Sequence, residues 1–225
     1  LYAAVISSVF TAGIIGLYVL TKPIVDRNEK LMLQKAVVDV FNLGDIETLS
    51  DEEIARIYDE QVETERIPGK DPDVATNYYY FAYAKDAKKG DKPFAFAFPV
   101  GGIGFWAPIH GLLSVDMETN KTLGVVFLEQ SETPGLGARI TETAFRKQFR
   151  GLDMNPPQNG GRYIYVGGGA SPATEGRRVD GITGATGTSN AVDQFLQASI
   201  LEYLTKAREA ARDARKGQSE GDHAG

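Results

Sequence analysis

The segment Asp180–Ser189, DGITGATGTS, has the residue types and spacing best suited to chemistry. Gly184 and Ala185 stand directly before the hydroxyl of Thr186, and a helical pattern of apolar residues begins shortly afterwards. Amide groups at a helix start point toward a bound anion, and the helix dipole favours its negative charge. Thr186 is therefore a candidate for holding a phosphorylated cofactor, with a covalent bond to its hydroxyl left open. A plain helix-entry loop is the alternative interpretation.

Two further glycine-bearing segments precede it. Glu132–Gly137, ETPGLG, contains the strong turn pair Pro134-Gly135, so it is either an ordinary turn or a loop whose backbone approaches a ligand closely. Gly101–Trp106, GGIGFW, is expected between two strands, either as a glycine-rich turn or as a wall for a flat ring that stacks on Trp106 or Phe105.

Composition excludes several classes of function. The net charge of −6 and the lack of a basic stripe with interleaved aromatic residues argue against nucleic acid as a partner. The absence of Cys excludes disulfides and Cys-ligated iron–sulfur or zinc sites. With only two His, we expect no metal site, so any redox chemistry must depend on an organic cofactor.

The segment Leu1–Leu20 contains neither a charged residue nor Pro. About twenty helical residues span roughly 30 Å, the thickness of a bilayer's hydrocarbon core. We therefore predict a transmembrane helix over residues 1–21 rather than a cleaved signal peptide. Small residues at a spacing of four would allow another helix to approach one face (Ala4, Ser8, Ala12, Gly16).

The rest of the chain predicts an α+β domain, an antiparallel sheet flanked by helices. The expected helices are an amphipathic one over Glu29–Leu43, one from the capping box at Ser50 through Tyr58, one over Ile140–Phe149, and one over Asn190–Ala211 with Ser189 as its N-cap. The expected strands include a half-buried one at Phe94–Phe98 and a hairpin formed by Ile109–Val115 and Leu123–Phe127. We predict a helical connecting region over residues 22–75, a cofactor-binding domain over 76–212 and a polar, disordered tail over 213–225.

Taken together, the two loops ETPGLG and DGITGAT resemble the FMN-binding domain family. The family includes the covalent-flavin C subunit of the sodium-translocating NADH:quinone reductase and the G subunit of the Rnf electron transport complex. The stretch Gly102–Asp116 and the N-terminal anchor followed by Lys22-Pro23 resemble the C-subunit branch in particular.

The resemblance implies that FMN is bound covalently to Thr186 through a phosphoester, which a dedicated flavin transferase installs from FAD. It implies that the Glu132–Gly137 loop lies against the flavin, with Leu136 over the ring and Thr133 at its polar edge. Gln130 stands near a place where many relatives have His, which puts a proton-handling role there in doubt. The residues assigned to cofactor binding are Thr186, Asp180, Gly181, Thr183, Gly184, Ala185, Thr188, Ser189, Glu132, Thr133, Gly135, Leu136, Gly137 and Trp106.

By the same resemblance, the chain is a membrane-anchored electron-transfer subunit of an ion-translocating or quinone- or ferredoxin-linked oxidoreductase complex. Its expected partners are other membrane subunits, the flavin transferase and membrane lipid. The resemblance places the domain on the extracytoplasmic side of the inner membrane, whereas Lys22, Arg27 and Lys30 favour the cytoplasmic side under the positive-inside rule. Two alternatives stay open: a stand-alone membrane-anchored extracytoplasmic flavoprotein reductase, and a non-catalytic membrane scaffold or sensor with an unmodified loop.

Overall fold

A computed structural model of the chain describes residues 2–72, 74–87, 91–168 and 175–214. It has the predicted α+β architecture, an N-terminal apolar helix followed by an antiparallel sheet with helices. The elements in chain order are α1 (Tyr2–Val40), α2 (Asp51–Gln61), β1 (Val62–Arg66), β2 (Tyr78–Ala82), β3 (Ala95–Ile103), β4 (Pro108–Asp116), β5 (Thr122–Glu129), α3 (Thr143–Arg146), β6 (Tyr165–Val166), β7 (Arg178–Val179) and α4 (Thr186–Asp213). The predicted tail from residue 215 onward and the side chain of Ala4 lie outside what is described.

Five antiparallel strands form the main sheet in the order β1-β2-β3-β4-β5, and β6 and β7 form a separate parallel pair. The hairpin predicted for β4 and β5 is confirmed, with Val125 opposite Leu113. Its turn is held by Asp116, whose carboxylate accepts bonds from the amide (2.7 Å) and hydroxyl (2.8 Å) of Thr119. An acidic residue at this position supplies the acceptor that a tight turn needs.

Helix α4 covers one face of the sheet. Phe96, Phe98 and Val100 of β3 point toward it and lie in the same hydrophobic cluster as Leu196 and Ile200 of the helix. A Cβ atom added at Gly102 would lie 2.6 Å from the Cβ of Phe195. Glycine at this position therefore allows the first turns of α4 to approach the end of β3, where the candidate site lies.

The C-terminal part of α1 covers the opposite face. Ala95 and Ala97 of β3 face this helix and cluster with Val37 and Phe41. The Ser114 hydroxyl of β4 donates to the carbonyl of Val40 at 2.5 Å, which fixes the helix end to the middle of the sheet. The prediction of a half-buried β3 is wrong, because a helix packs on both sides of the strand and small alanine side chains leave room for the second one.

Helix α1 is continuous where the sequence predicted two separate helices. Side chains from Ile6 to Lys30 are all exposed, and only the last turns pack on the sheet. Within the described ranges, α1 is the one helix long and apolar enough to cross a membrane. Helix α1 continues through Pro23 without a break, so a single helix joins the N-terminal apolar segment to the domain.

The region between α1 and the sheet is less helical than predicted. The capping box is confirmed, since the Ser50 hydroxyl accepts from the amide of Glu53 and the Glu53 carboxylate accepts from the amide of Ser50 at 2.9 Å. Helix α2 then runs on to Gln61, and the next residues form β1, the edge strand beside β2. The segment 22–75 therefore contributes a strand and part of a helix to the domain itself.

Candidate functional site

Three loops meet at the start of α4. They are the turn 104–107 between β3 and β4, the loop 132–137 that follows β5, and the loop 180–185 that leads into α4. The first two lie at the same end of the main sheet, because the ends of β3 and β5 both lie beside the start of the antiparallel β4. All three segments belong to the motifs that the sequence singled out.

Helix α4 begins at Thr186, four residues before the predicted start at Asn190. Ser189, predicted as the N-cap, lies inside the helix and is buried at 3% exposure. Its hydroxyl accepts from the amide of Ile182 at 2.9 Å and donates to the carbonyl of Ala185 at 3.0 Å. The prediction was wrong because Ser189 ties the preceding loop to the first turn instead of capping a later helix.

Thr186 is the first residue of α4 and is exposed. Within the described part of the chain, no side chain caps this helix start, where Ala185 takes the N-cap position. The first amide groups of a helix have no carbonyl partner within the helix, so they remain as donors for an anion. Gly184 has a φ of +80°, a conformation that side-chain-bearing residues rarely adopt, and this turn directs the chain into the helix.

Two apolar side chains flank Thr186. A Cβ atom added at Gly184 would lie 3.4 Å from Cδ2 of Leu136, so this leucine lies against Gly184, two residues before Thr186. A Cβ atom added at Gly187 would lie 2.8 Å from Cε2 of Phe105, so this ring rests on the residue after it. Leu136 is 44% exposed and Phe105 is 59% exposed, so both also present apolar surface to an arriving ligand.

Trp106 extends this apolar surface. Its ring meets that of Phe105 edge to face, with the ring centroids 5.0 Å apart and the planes at 87°. Its indole nitrogen Nε1 donates to the hydroxyl oxygen of Thr133 at 3.0 Å, which joins the turn 104–107 to the loop 132–137. Trp106 is 68% exposed, so a flat ring has access to it.

Glu132 lies buried under these groups. One carboxylate oxygen, Oε1, accepts from the amides of Phe105 (2.9 Å) and Trp106 (3.1 Å). The other, Oε2, accepts from the hydroxyl of Thr188 at 2.6 Å. Gly137 borders the same pocket, since a Cβ atom there would lie 2.7 Å from Oε2. Glu132, Thr188 and Gly137 are thus buried beneath the exposed groups, and their assignment to cofactor binding stays a prediction.

The remaining predicted site residues shape the loops. Asp180 is exposed, forms an ion pair with Arg178 at 2.7 Å and donates its backbone amide to Gln148. Gly181 lies against the hydroxyl of Ser189, and Thr183 is exposed beside Gly184. Gly135 has a φ of +72°, as the Pro-Gly turn requires. These residues therefore set the course of the loops around the exposed face.

The site lies at the end of the sheet from which α1 departs. Val40 contacts the middle of the sheet at Ser114, whereas Met32 lines a cleft with Pro108, Leu128 and Gln130 at the strand ends. From Val40 back to Met32 the helix rises about 12 Å toward the site, and it rises about 16 Å more to Thr21. The candidate site therefore faces the apolar segment of α1.

The residues present fit a flavin nucleotide bound through its phosphate. Helix-start amides and the exposed Thr186 hydroxyl suit the phosphate, and Gly184 adds no side chain beside them. Exposed Phe105, Trp106 and Leu136 suit a flat apolar ring system. The fold and the site define an α+β domain that follows an apolar helix and whose candidate site suits a flavin nucleotide.

Comparison with known proteins agrees with this class. Residues 104–200 match the FMN-binding domain family, which confirms the resemblance drawn from the two loops. The curated relatives include the C subunit of the Na(+)-translocating NADH-quinone reductase of Vibrio anguillarum, 37% identical over 105 residues that cover 47% of this chain and 41% of the relative. The corresponding protein of Chlamydia pneumoniae is 35% identical over 123 residues, which cover 48% of this chain and 38% of the relative. The matches thus span less than half the length of these relatives.

Solved structures share the fold. The C subunit of the Na(+)-translocating NADH-quinone reductase from Parabacteroides distasonis superposes with a TM-score of 0.62 at 23% identity, over 83% of this chain and 96% of that one. NqrC of Shewanella oneidensis superposes with a TM-score of 0.59 at 20% identity, over 80% of this chain and 96% of that one.

Sequence reasoning missed the role of two residues. Phe105 was only an alternative to Trp106 as a stacking residue, yet it packs directly on the first turn of α4. Gly187 was not singled out, although it provides the space for that ring. The run of small residues from Gly184 to Gly187 could have indicated a close contact at this helix start. The side chain that makes the contact at Gly187, Phe105, is distant in the sequence.

Proposed function

We propose that this chain is a membrane-anchored electron-transfer subunit of a sodium-translocating NADH:quinone reductase type of complex, with FMN bound covalently at Thr186. One observation carries the proposal: both family loops meet at the start of α4, where Thr186 is exposed and where Leu136 and Phe105 lie against Gly184 and Gly187. The named relatives are subunits of such a reductase, which supports the same assignment.

The protein's own groups would attach and orient the cofactor. The Thr186 oxygen would attack the flavin-side phosphorus of FAD and lose its proton, and the bond to the departing AMP would break. A threonine hydroxyl is a weak nucleophile, so a separate transferase must activate it. Once bound, FMN would supply the electron-accepting and electron-donating ring, while Leu136, Phe105 and Trp106 would pack against it.

The position of the site supports transfer to a partner in the membrane. The site end of the sheet faces the apolar segment of α1, and its exposed apolar groups would be shielded by a neighbouring subunit. A covalent link would also retain a flavin that is bound on an open surface. The Leu136 and Trp106 side chains would then take part in both ring binding and partner contact.

A complementation experiment tests this function. In a host lacking the gene for this chain but producing the other subunits, NADH-driven quinone reduction by isolated membranes should return with the wild-type chain and not with Thr186→Ala. The wild-type chain should also copurify with other membrane subunits at native expression levels. A solitary protein with full reductase activity would refute the subunit assignment in favour of a stand-alone reductase.

We further propose that the domain lies on the extracytoplasmic side, anchored by α1. The chain has no Cys, so a single introduced cysteine can be labelled without background. Glu118→Cys, in the exposed β4–β5 turn, should react in intact cells with a maleimide that cannot cross the inner membrane. The wild-type chain serves as the unlabelled control, and permeabilised cells give the full signal. Labelling that requires permeabilisation would place the domain in the cytoplasm.

A further inference from the structure

Glu132 connects three separate segments from a buried position. It is 5% exposed, and it follows the end of β5. Its own amide donates to the side-chain oxygen of Gln130 at 2.7 Å, which fixes the start of the loop. Its carboxylate then contacts both the turn 104–107 and the first turn of α4.

The Glu132 carboxylate accepts three hydrogen bonds. The amides of Phe105 and Trp106 donate to Oε1, and the hydroxyl of Thr188 donates to Oε2. Both oxygens are therefore occupied, and each end of the carboxyl group is held by a different segment. Glu132 thus holds two consecutive amides of one loop at a fixed distance from the helix.

The space around the carboxylate is closed. A Cβ atom at Gly104 would lie 2.6 Å from Oε1, and one at Gly137 would lie 2.7 Å from Oε2. Only glycine fits at these two positions while Glu132 keeps its place. The length of the glutamate side chain therefore determines the spacing between the turn and the helix.

Trp106 depends on this arrangement for its orientation. Its side chain is 68% exposed, so little core packing fixes the ring. The contacts that do fix it are the bond to Thr133 and the edge-to-face contact with Phe105, and both need the turn backbone in its present place. Because Phe105 also rests on Gly187, a shift of the turn would move both rings relative to Thr186.

We propose that Glu132 is a positioning residue that fixes the rings of Phe105 and Trp106 relative to Thr186 before the cofactor arrives. The carboxylate acts through the backbone of the turn and does not itself touch the cofactor. The proposal rests on the proposed function only in treating the Phe105–Trp106 face as the surface for the flavin ring. The arrangement of the protein groups is independent of it.

Trp106 is the only tryptophan in the chain, so its fluorescence reports on this turn alone. The full-length chain is made without the flavin transferase, and time-resolved fluorescence anisotropy measures the local motion of the indole. In the wild type, the ring should move with the whole protein. In Glu132→Asp, the shorter side chain cannot reach both the turn 104–107 and Thr188. The slow component of the anisotropy decay, which reports tumbling of the whole protein, should then be replaced by a fast component from local motion of the indole.

Glu132→Gln tests geometry against charge. Its amide oxygen can accept from both turn amides, and its amide nitrogen can donate to the Thr188 oxygen, so the slow component should be kept. Glu129→Asp, an exposed neighbour, is the matched control and should equal the wild type. Far-UV circular dichroism verifies that each variant is folded. Wild-type anisotropy in Glu132→Asp, or its loss in a folded Glu132→Gln, would overturn the proposal.

If Glu132→Asp does not fold, Thr188→Val tests the proposal instead. It removes one of the three hydrogen bonds to the Glu132 carboxylate and leaves Glu132 itself unchanged. Its Trp106 must then move faster than in Glu129→Asp, and equal motion would overturn the proposal. A second measurement applies to the flavin-loaded chain, where Glu132→Asp should weaken the quenching of Trp106 by the flavin. Without a covalent flavin in the wild type, the proposed function fails while the anisotropy result still decides the role of Glu132.

Discussion

Thr186→Ala is expected to remove all covalently bound flavin from the chain. Coproduced with a flavin transferase, the wild type should give a fluorescent band on a denaturing gel under ultraviolet light, and the variant none. The reason is structural, because the neighbouring hydroxyls of Thr188 and Ser189 are 4% and 3% exposed and already bonded within the protein. They cannot replace the exposed hydroxyl of Thr186 without unfolding the start of α4.

Two controls make this result specific. Thr186→Ser keeps a hydroxyl at the helix start and should keep the band, at equal or lower yield. Thr205→Ala removes an exposed threonine elsewhere on α4 and should leave the band unchanged. A band that persists in Thr186→Ala contradicts the attachment site. If the band then disappeared in the double variant Thr183→Ala/Thr186→Ala, the attachment site would be exposed Thr183 instead.

Gly137→Ala should destabilise the chain strongly for a change that adds a single methyl group. The added Cβ atom would lie 2.7 Å from Oε2 of Glu132 and would press on the Thr188 hydroxyl, and both groups are buried. Overpacking together with the loss of a buried hydrogen bond should lower the free energy of unfolding by about 3 kcal/mol. That corresponds to a thermal midpoint lower by roughly 6–12 °C, measured by circular dichroism of the detergent-solubilised chain.

The neighbouring Ala138→Gly is the matched control. It removes a methyl group from the same turn and adds backbone freedom, so it should cost no more than about 1 kcal/mol. A Gly137→Ala variant as stable as Ala138→Gly would mean that Glu132 and Thr188 can move apart freely. The loop would then not be the rigid support described above, and the flavin yield of the two variants should also be equal.

Local sequence signals predicted most of the individual elements. The capping box at Ser50 and the β4–β5 hairpin depend on neighbouring residues, so a single stretch of sequence contains the whole cause. The α+β class followed from the order of these elements. The segment Ile140–Phe149, predicted as one short helix, is instead a short α3 between two 3-10 turns, and it packs on β5.

The errors came from contacts between distant residues. The alternation at Phe94–Phe98 predicted one exposed face, but α1 returns to cover it, and no local pattern contains that information. The start of α4 was placed late because Ser189 is a good N-cap residue in isolation. Its hydroxyl is instead satisfied by the loop that passes over it, an arrangement that only the folded chain creates.

The sequence alone predicted a phosphate-bearing cofactor at Thr186, an organic cofactor for any redox chemistry, and a common site for ETPGLG and DGITGAT. The tertiary structure decided which residues are exposed at the candidate site and which lie buried beneath it. Thr186, Leu136, Phe105 and Trp106 are exposed, whereas Glu132 and Thr188 are buried beneath them. The physical reason is that the burial of a side chain depends on the segments that pack around it. Here these are the turn 104–107, the loop 132–137 and the start of α4, which are far apart in the sequence.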